Sequence, residues 1–85
     1  MSVRVRMFAA LREAAGEGET TVQPGPLPEL LDTLRERYGE LFRTRLGLCT
    51  VLVNGSSVPA AADLAVPDGA EITLLPPVSG GILAS

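Results

Sequence analysis

The residues of this chain that could do chemistry are few, and most of them sit at one end. The sequence "LLPPVSGGILAS" carries Gly80 and Gly81 behind Pro76, Pro77, Val78 and Ser79. Glycine has no Cβ, so a Gly-Gly segment can enter a channel too narrow for other residues and accept unusual φ angles. The chemistry on offer there is that of a main-chain carboxyl, a poor electrophile that another protein must activate as an acyl-adenylate. Pro76 and Pro77 lack a ladder N–H, end a strand and favour an extended backbone, so they aim the segment away from the body. A frayed, inert end is the competing reading of the same residues. The other candidate is Cys49, the only cysteine.

What is missing excludes more. There is no His, Trp or Lys, and all seven basic residues are arginines. Without His there is no Ser-His or Cys-His nucleophile and no imidazole metal site. Without Lys there is no Schiff base and no side chain to accept a protein modifier. One cysteine provides no internal disulfide, CxxC pair or thiolate metal cluster. We therefore expect no metal and no permanently bound cofactor, and the composition points away from an enzyme. The net charge of −3 argues against a nucleic-acid partner. No apolar run is long enough for a bilayer and "MSVRVRMF" lacks a signal-peptide core, so the expected location is the cytoplasm, without a membrane partner.

At 85 residues and 46% hydrophobic content the chain suits one globular domain. "SVRVRMF" alternates, with Val3, Val5 and Met7 on one face and Arg4, Arg6 and Phe8 on the other, the period of a half-buried strand. "AALREAAG" reads as a short helix stopped at Gly16, and "ETTVQP" as a strand returning along the first. In "PLPELLDTLRERYG", Leu27, Leu30, Leu31, Leu34 and Tyr38 form one helical stripe. Pro28 and Glu29 suit its first turn, Arg35 and Arg37 its last, and Gly39 its end. "LCTVLVNG" is a strand with Asn54-Gly55 as a hairpin turn, returning through "SSVP". After an irregular stretch, "VPDG" turns into "AEITLL", with Ile72 and Leu74 inward and Glu71, Thr73 and Leu75 outward. This order predicts an α+β fold of the β-grasp (ubiquitin-like) type, a mixed four- to five-stranded sheet covered by one main helix. Residues 1–77 form the domain and 78–85 a flexible tail. A ferredoxin-like sandwich needs a second long helix, which "AALREAAG" is too short to be.

In a β-grasp sheet the first and last strands run side by side and parallel. Phe8 and Leu75 then meet near the root of the tail, with Leu52 joining them, as a docking patch rimmed by Arg4, Arg6 and Glu71. The alternative folds Phe8 back under the first helix. Cys49 is phased with Val51 and Val53 and reads as a buried small apolar residue with nothing nearby to lower its pKa. Glu13, Glu17 and Glu19 read as a solvated turn.

The runs "FAALREAAG", "VLVNG" and above all "DGAEITLLPPVSGG" resemble the MoaD/ThiS family of ubiquitin-like sulfur carriers. The similarity spans about residues 1–81 and is strongest to the molybdopterin synthase small subunits of that family. The resemblance implies that Gly81, with Gly80 before it, is adenylated by an E1-like enzyme using ATP and Mg²⁺. A sulfur donor protein then converts it to a thiocarboxylate, which passes sulfur to an acceptor synthase. Phe8, Leu52, Leu75, Pro76, Pro77, Val78 and Ser79 are the expected partner-binding residues. Most members of the family end at the second glycine, whereas here Ile82, Leu83, Ala84 and Ser85 follow. Cleavage between Gly81 and Ile82 by a zinc-dependent JAMM-type metalloprotease is therefore expected, against the alternative of an inert extension. Three readings stay open at this point: a sulfur carrier for molybdopterin, cysteine, thiosugar or another pathway; a modifier conjugated through Gly81; and a plain interaction module.

Overall fold

Alternating branched apolar and charged residues make Val3–Met7 a strand, β1, whose odd positions are buried and even positions exposed. The structure, a computed structural model, describes residues 2–76. Helix α1 (Ala9–Ala15) follows at once and ends at Gly16, in the left-handed conformation at φ +81°. Strand β2 (Glu19–Val22) returns antiparallel to β1, with Val3 opposite Val22 and Arg6 opposite Glu19. The outer edge of β2 is covered. Arg37 Nη1 donates to Thr20 Oγ1 and to the Thr21 carbonyl, both at 2.9 Å, which blunts an edge otherwise open to another strand.

After a two-residue strand β3 (Gly25–Pro26) comes the main helix α2 (Leu27–Tyr38). Its leucine stripe is buried as the periodicity predicts: Leu27, Leu30, Leu31 and Leu34 all lie in the core. Tyr38, the last member of the stripe, is only half-buried and stacks tilted on Phe42 at 4.9 Å. Gly39 ends α2 as expected, its N–H donating to the Arg35 carbonyl. The chain then restarts as a third helix, α3 (Glu40–Leu46), for which the sequence reading holds no element. One glycine does both jobs. At φ +91° it turns the chain where an L side chain would be strained, and its carbonyl accepts the Arg43 N–H that opens α3. Helix α3 contributes Phe42 and Leu46 to the core, four residues apart on one face.

The second half of the sheet follows the predicted order. Strand β4 (Thr50–Val53) turns through Asn54 and Gly55, at φ +49° and +85°, into β5 (Ser56–Val58). Positive φ at both central residues is what a type I′ turn requires. A further short strand, β6 (Ala65–Val66), pairs with β3, a small second sheet that too few residues carry to be visible as a pattern. Strand β7 (Glu71–Leu75) closes the fold. It lies in the middle of a five-stranded sheet of order β2-β1-β7-β4-β5, parallel to β1 and antiparallel to β4. This is the mixed β-grasp sheet expected from the element order. The core between sheet and helices includes Val3, Val5, Met7, Val51, Ile72 and Leu74 from the strands.

Candidate docking face and root of the tail

The parallel pairing of β1 and β7 sets the geometry of the outer sheet face. Arg4 lies beside Glu71, Arg6 beside Thr73 and Met7 beside Leu74, so one further step puts Phe8 next to Leu75. On the other side of β7, Thr50 faces Leu75 and Leu52 faces Thr73. Leu52 and Leu75 are thus diagonal neighbours on one face, and Phe8 completes the patch across the sheet. The sequence reading expects these three residues together, and the register brings them together.

Phe8 does not fold back under α1. It keeps an extended backbone as the residue before the helix, is 36% exposed, and lies under the Arg6 guanidinium at 5.5 Å from its ring centroid. Arg6 also reaches the Glu71 carboxylate at 3.7 Å, and Arg4 reaches Glu19 at 3.1 Å. All four charged side chains are substantially solvated, so these pairs contribute little stability, about 0–1 kcal/mol each. Their effect is to fringe the apolar patch with oriented charge. Leu75 and Pro76 are half-buried at the end of β7. The expected site residues Pro77, Val78, Ser79, Gly80 and Gly81, and the Gly81–Ile82 bond, lie outside the described residues.

A second surface meets the root of the tail from the helix side. Ala10, Leu11, Arg45, Leu48 and Pro76 line a mainly apolar recess of about 290 Å³. Arg45 is held there by donating Nη1 to the Ala10 carbonyl at 2.7 Å, and it lies 3.8 Å from Glu13. Sequence reasoning passes over Leu48 and Arg45 because it misses α3. The available signal is the Leu41, Arg45, Leu48 spacing, one face of a helix. A larger polar cleft of about 460 Å³ lies at the opposite end of the sheet, lined by Ser2, Arg4, Glu19 and Glu71 among others. It lies away from Pro76, and its charged groups are already paired with one another or with Arg6.

The remaining candidates are structural. Cys49 is half-buried rather than fully buried, and its Sγ donates to the Leu46 carbonyl at 3.2 Å. Burial pushes its thiol up to about 11, outweighing its backbone hydrogen bond and the Arg35 charge, so it is a poor nucleophile. The acidic turn is less free than expected. Glu17 accepts a hydrogen bond from the Tyr38 hydroxyl, Glu19 pairs with Arg4, and Glu13 lies near Arg45. Burial first, and then the bond to Glu17, raises the Tyr38 pKa. Among the described residues no three His, Cys, Asp or Glu side chains are placed to hold a metal ion. No helix among them is long and apolar enough to cross a membrane.

The fold has known counterparts. The sequence profile of the ThiS family matches residues 5–81. The chain is 33% identical over 81 residues to the molybdopterin synthase sulfur carrier subunit of Aspergillus niger, covering 92% of each chain. Among solved structures it is similar to a chain of the complex of subunits 1 and 2 of molybdopterin-converting factor from Helicobacter pylori 26695. That match has a TM-score of 0.69 at 33% identity and covers 95% of this chain and all of the other. The solution structure of small archaeal modifier protein 1 from Methanosarcina acetivorans superposes with a TM-score of 0.76 at 32% identity, covering 94% and 96% of the two chains.

Proposed function

We infer the function of this chain from one premise: it belongs to the ThiS family. It is a sulfur carrier of the molybdopterin synthase small-subunit type, a protein that bears the reacting group without itself being the catalyst. The reacting group in our reading is the Gly81 carboxyl. In the active site of an E1-like enzyme holding ATP and Mg²⁺, a carboxylate oxygen attacks the α-phosphorus and pyrophosphate leaves. Sulfur at the sulfide level, delivered by a donor protein, then displaces AMP and leaves a thiocarboxylate. An acceptor synthase takes that sulfur. The names of the Aspergillus and Helicobacter relatives favour a molybdopterin synthase as the acceptor.

The observation that carries this reading is the reach of the family match, which runs through Pro76–Gly80 and stops on Gly81. The fold supports it. Strand β7, from which the chain continues to Gly81, lies in the middle of the sheet beside the Phe8, Leu52 and Leu75 patch on which a partner can seat itself. In the chain as it stands, the Gly81 carboxyl is in peptide linkage to Ile82. Hydrolysis of that bond by a JAMM-type metalloprotease therefore precedes activation. A modifier conjugated through Gly81 is the second reading, favoured by the likeness to small archaeal modifier protein 1.

Intact mass of the protein from its own cells tests the proposal. The expected species ends at Gly81 and is heavier than the carboxylate by the difference between a sulfur and an oxygen atom. A mass that keeps residues 82–85 after treatment with the E1-like enzyme, ATP, sulfur donor and protease would overturn it. Isopeptide adducts resistant to thiols would favour the modifier.

A further inference from the structure

Among the described residues, three large apolar side chains are exposed, and two of them, Leu41 and Leu48, belong to α3 and the turn after it. The Leu48 N–H donates to the Arg45 carbonyl, so the helical winding continues to Leu48. Leu41, Arg45 and Leu48 are spaced i, i+4 and i+7 and share one face. Leu48, 66% exposed, stands at the recess that Ala10, Leu11, Arg45 and Pro76 complete. A single exposed leucine is ordinary, but here Leu48 joins Ala10, Leu11 and Pro76 in one contiguous apolar hollow.

Two observations say what covers it. Pro76 is a wall of the recess and also the residue from which the chain leads toward Gly80 and Gly81. A protein that encloses the segment after Pro76 must stand beside the recess. The one charged side chain in its wall is basic. Arg45 lines the wall, held by its bond to the Ala10 carbonyl, with only a long 3.8 Å approach to the exposed Glu13, and no carboxylate lines the recess itself.

We propose that this recess seats a branched aliphatic side chain of the tail-activating enzyme, with a carboxylate of that enzyme meeting Arg45. The proposal rests on the sulfur-carrier reading and deepens it. The enzyme grips the root of the tail from both sides, on the sheet face through Phe8, Leu52 and Leu75, and on the helix face through Leu48. Two-sided contact fixes the direction in which the tail leaves the body, and a channel narrow enough for Gly-Gly demands that direction.

Calorimetry with the purified E1-like adenylating enzyme and ATP tests it, using the full chain and the chain hydrolysed at Gly81. Leu48→Glu should weaken binding by about tenfold or more, the scale of an interface anchor. Leu48→Lys should weaken it by only about threefold, because its charge suits an acidic partner. Both variants should keep the wild-type melting temperature, since Leu48 is largely solvated. Equal affinity of Leu48→Glu and wild type would overturn this surface while leaving the carrier reading intact. Failure of the wild type to bind in either form would remove both. A dimer of the wild-type chain that Leu48→Glu dissociates would assign the recess to a second copy instead. A shift of the Leu48 methyl signals on Ile82→Ser/Leu83→Ser substitution would assign it to the chain's own tail. Either result would overturn the proposal.

Discussion

The two faces of β7 differ in what they are kept for. Ile72 and Leu74 point inward with no exposed surface, packed with Val5, Met7 and the helical leucines. Glu71, Thr73 and Leu75 point outward and stay half-buried. The inner residues are satisfied within the chain. The outer ones lie among Leu52, Phe8 and a fringe of solvated ion pairs, an arrangement that contributes little to folding and leaves apolar area for a partner. One strand thus anchors the fold on one side and leaves apolar area half-exposed on the other.

The largest effect belongs to the inner face. Leu74→Ala removes a fully buried side chain from the centre of the sheet and should cost about 2–5 kcal/mol in urea denaturation. A loss below about 1 kcal/mol would show that the inner face packs more loosely than its burial implies. Next comes the outer face. Leu75→Glu should weaken binding to the adenylating enzyme by about tenfold or more, the loss expected of an interface anchor. The same variant should change stability by less than about 1 kcal/mol, because Leu75 remains half-exposed. Finding it unfolded would erase the distinction between the faces.

Cys49 sharpens the comparison at the margin of the core. With its thiol near 11 against an ordinary 9.0, the native chain should be alkylated at pH 8 about a hundredfold more slowly than the urea-unfolded chain. The sign for stability follows from proton binding. Between pH 9 and 11 the unfolded thiol has lost its proton while the folded one keeps it, so stability falls as pH rises through that window and is unaffected below it. Equal alkylation rates in the two states would mean that Cys49 is not sheltered. The smallest effect is that of Arg6→Ala. It removes the contact with the Phe8 ring and the 3.7 Å pair with Glu71, yet should shift the unfolding midpoint by no more than about 0.5 kcal/mol equivalent. A larger shift would make the outer face part of the fold's own support.

Much of this was legible in the residues, and what was missed has particular causes. Alternation in "SVRVRMF" and "AEITLL" shows which side chains turn inward, because strand periodicity is two and one face is buried. The leucine stripe of α2 and the Asn54-Gly55 turn are equally plain. Helix α3 was not, because Gly39 reads as a terminator and seven residues hold barely two turns of pattern. The β3–β6 pair was invisible for the same reason, since two residues carry no period. Phe8 could not be placed from sequence either. Its two readings differ only in whether the chain turns before or after it, and Ala9, at φ +50°, puts the turn after.

The sequence by itself determined which side-chain chemistries are missing. A chain without His or Lys and with one cysteine has no imidazole, no side-chain amine and no thiol pair. It also determined the inward and outward sides of each strand, because those depend on local period alone. Only the tertiary structure decided which outward residues meet. Phe8, Leu52 and Leu75 are far apart in the chain and are joined by the parallel β1–β7 and antiparallel β4–β7 registers. The recess at Leu48 and Pro76 likewise exists only once α3 packs beside α1 at the end of β7. Long-range register depends on loop closure and on the packing of all elements at once, and no local window of sequence contains it.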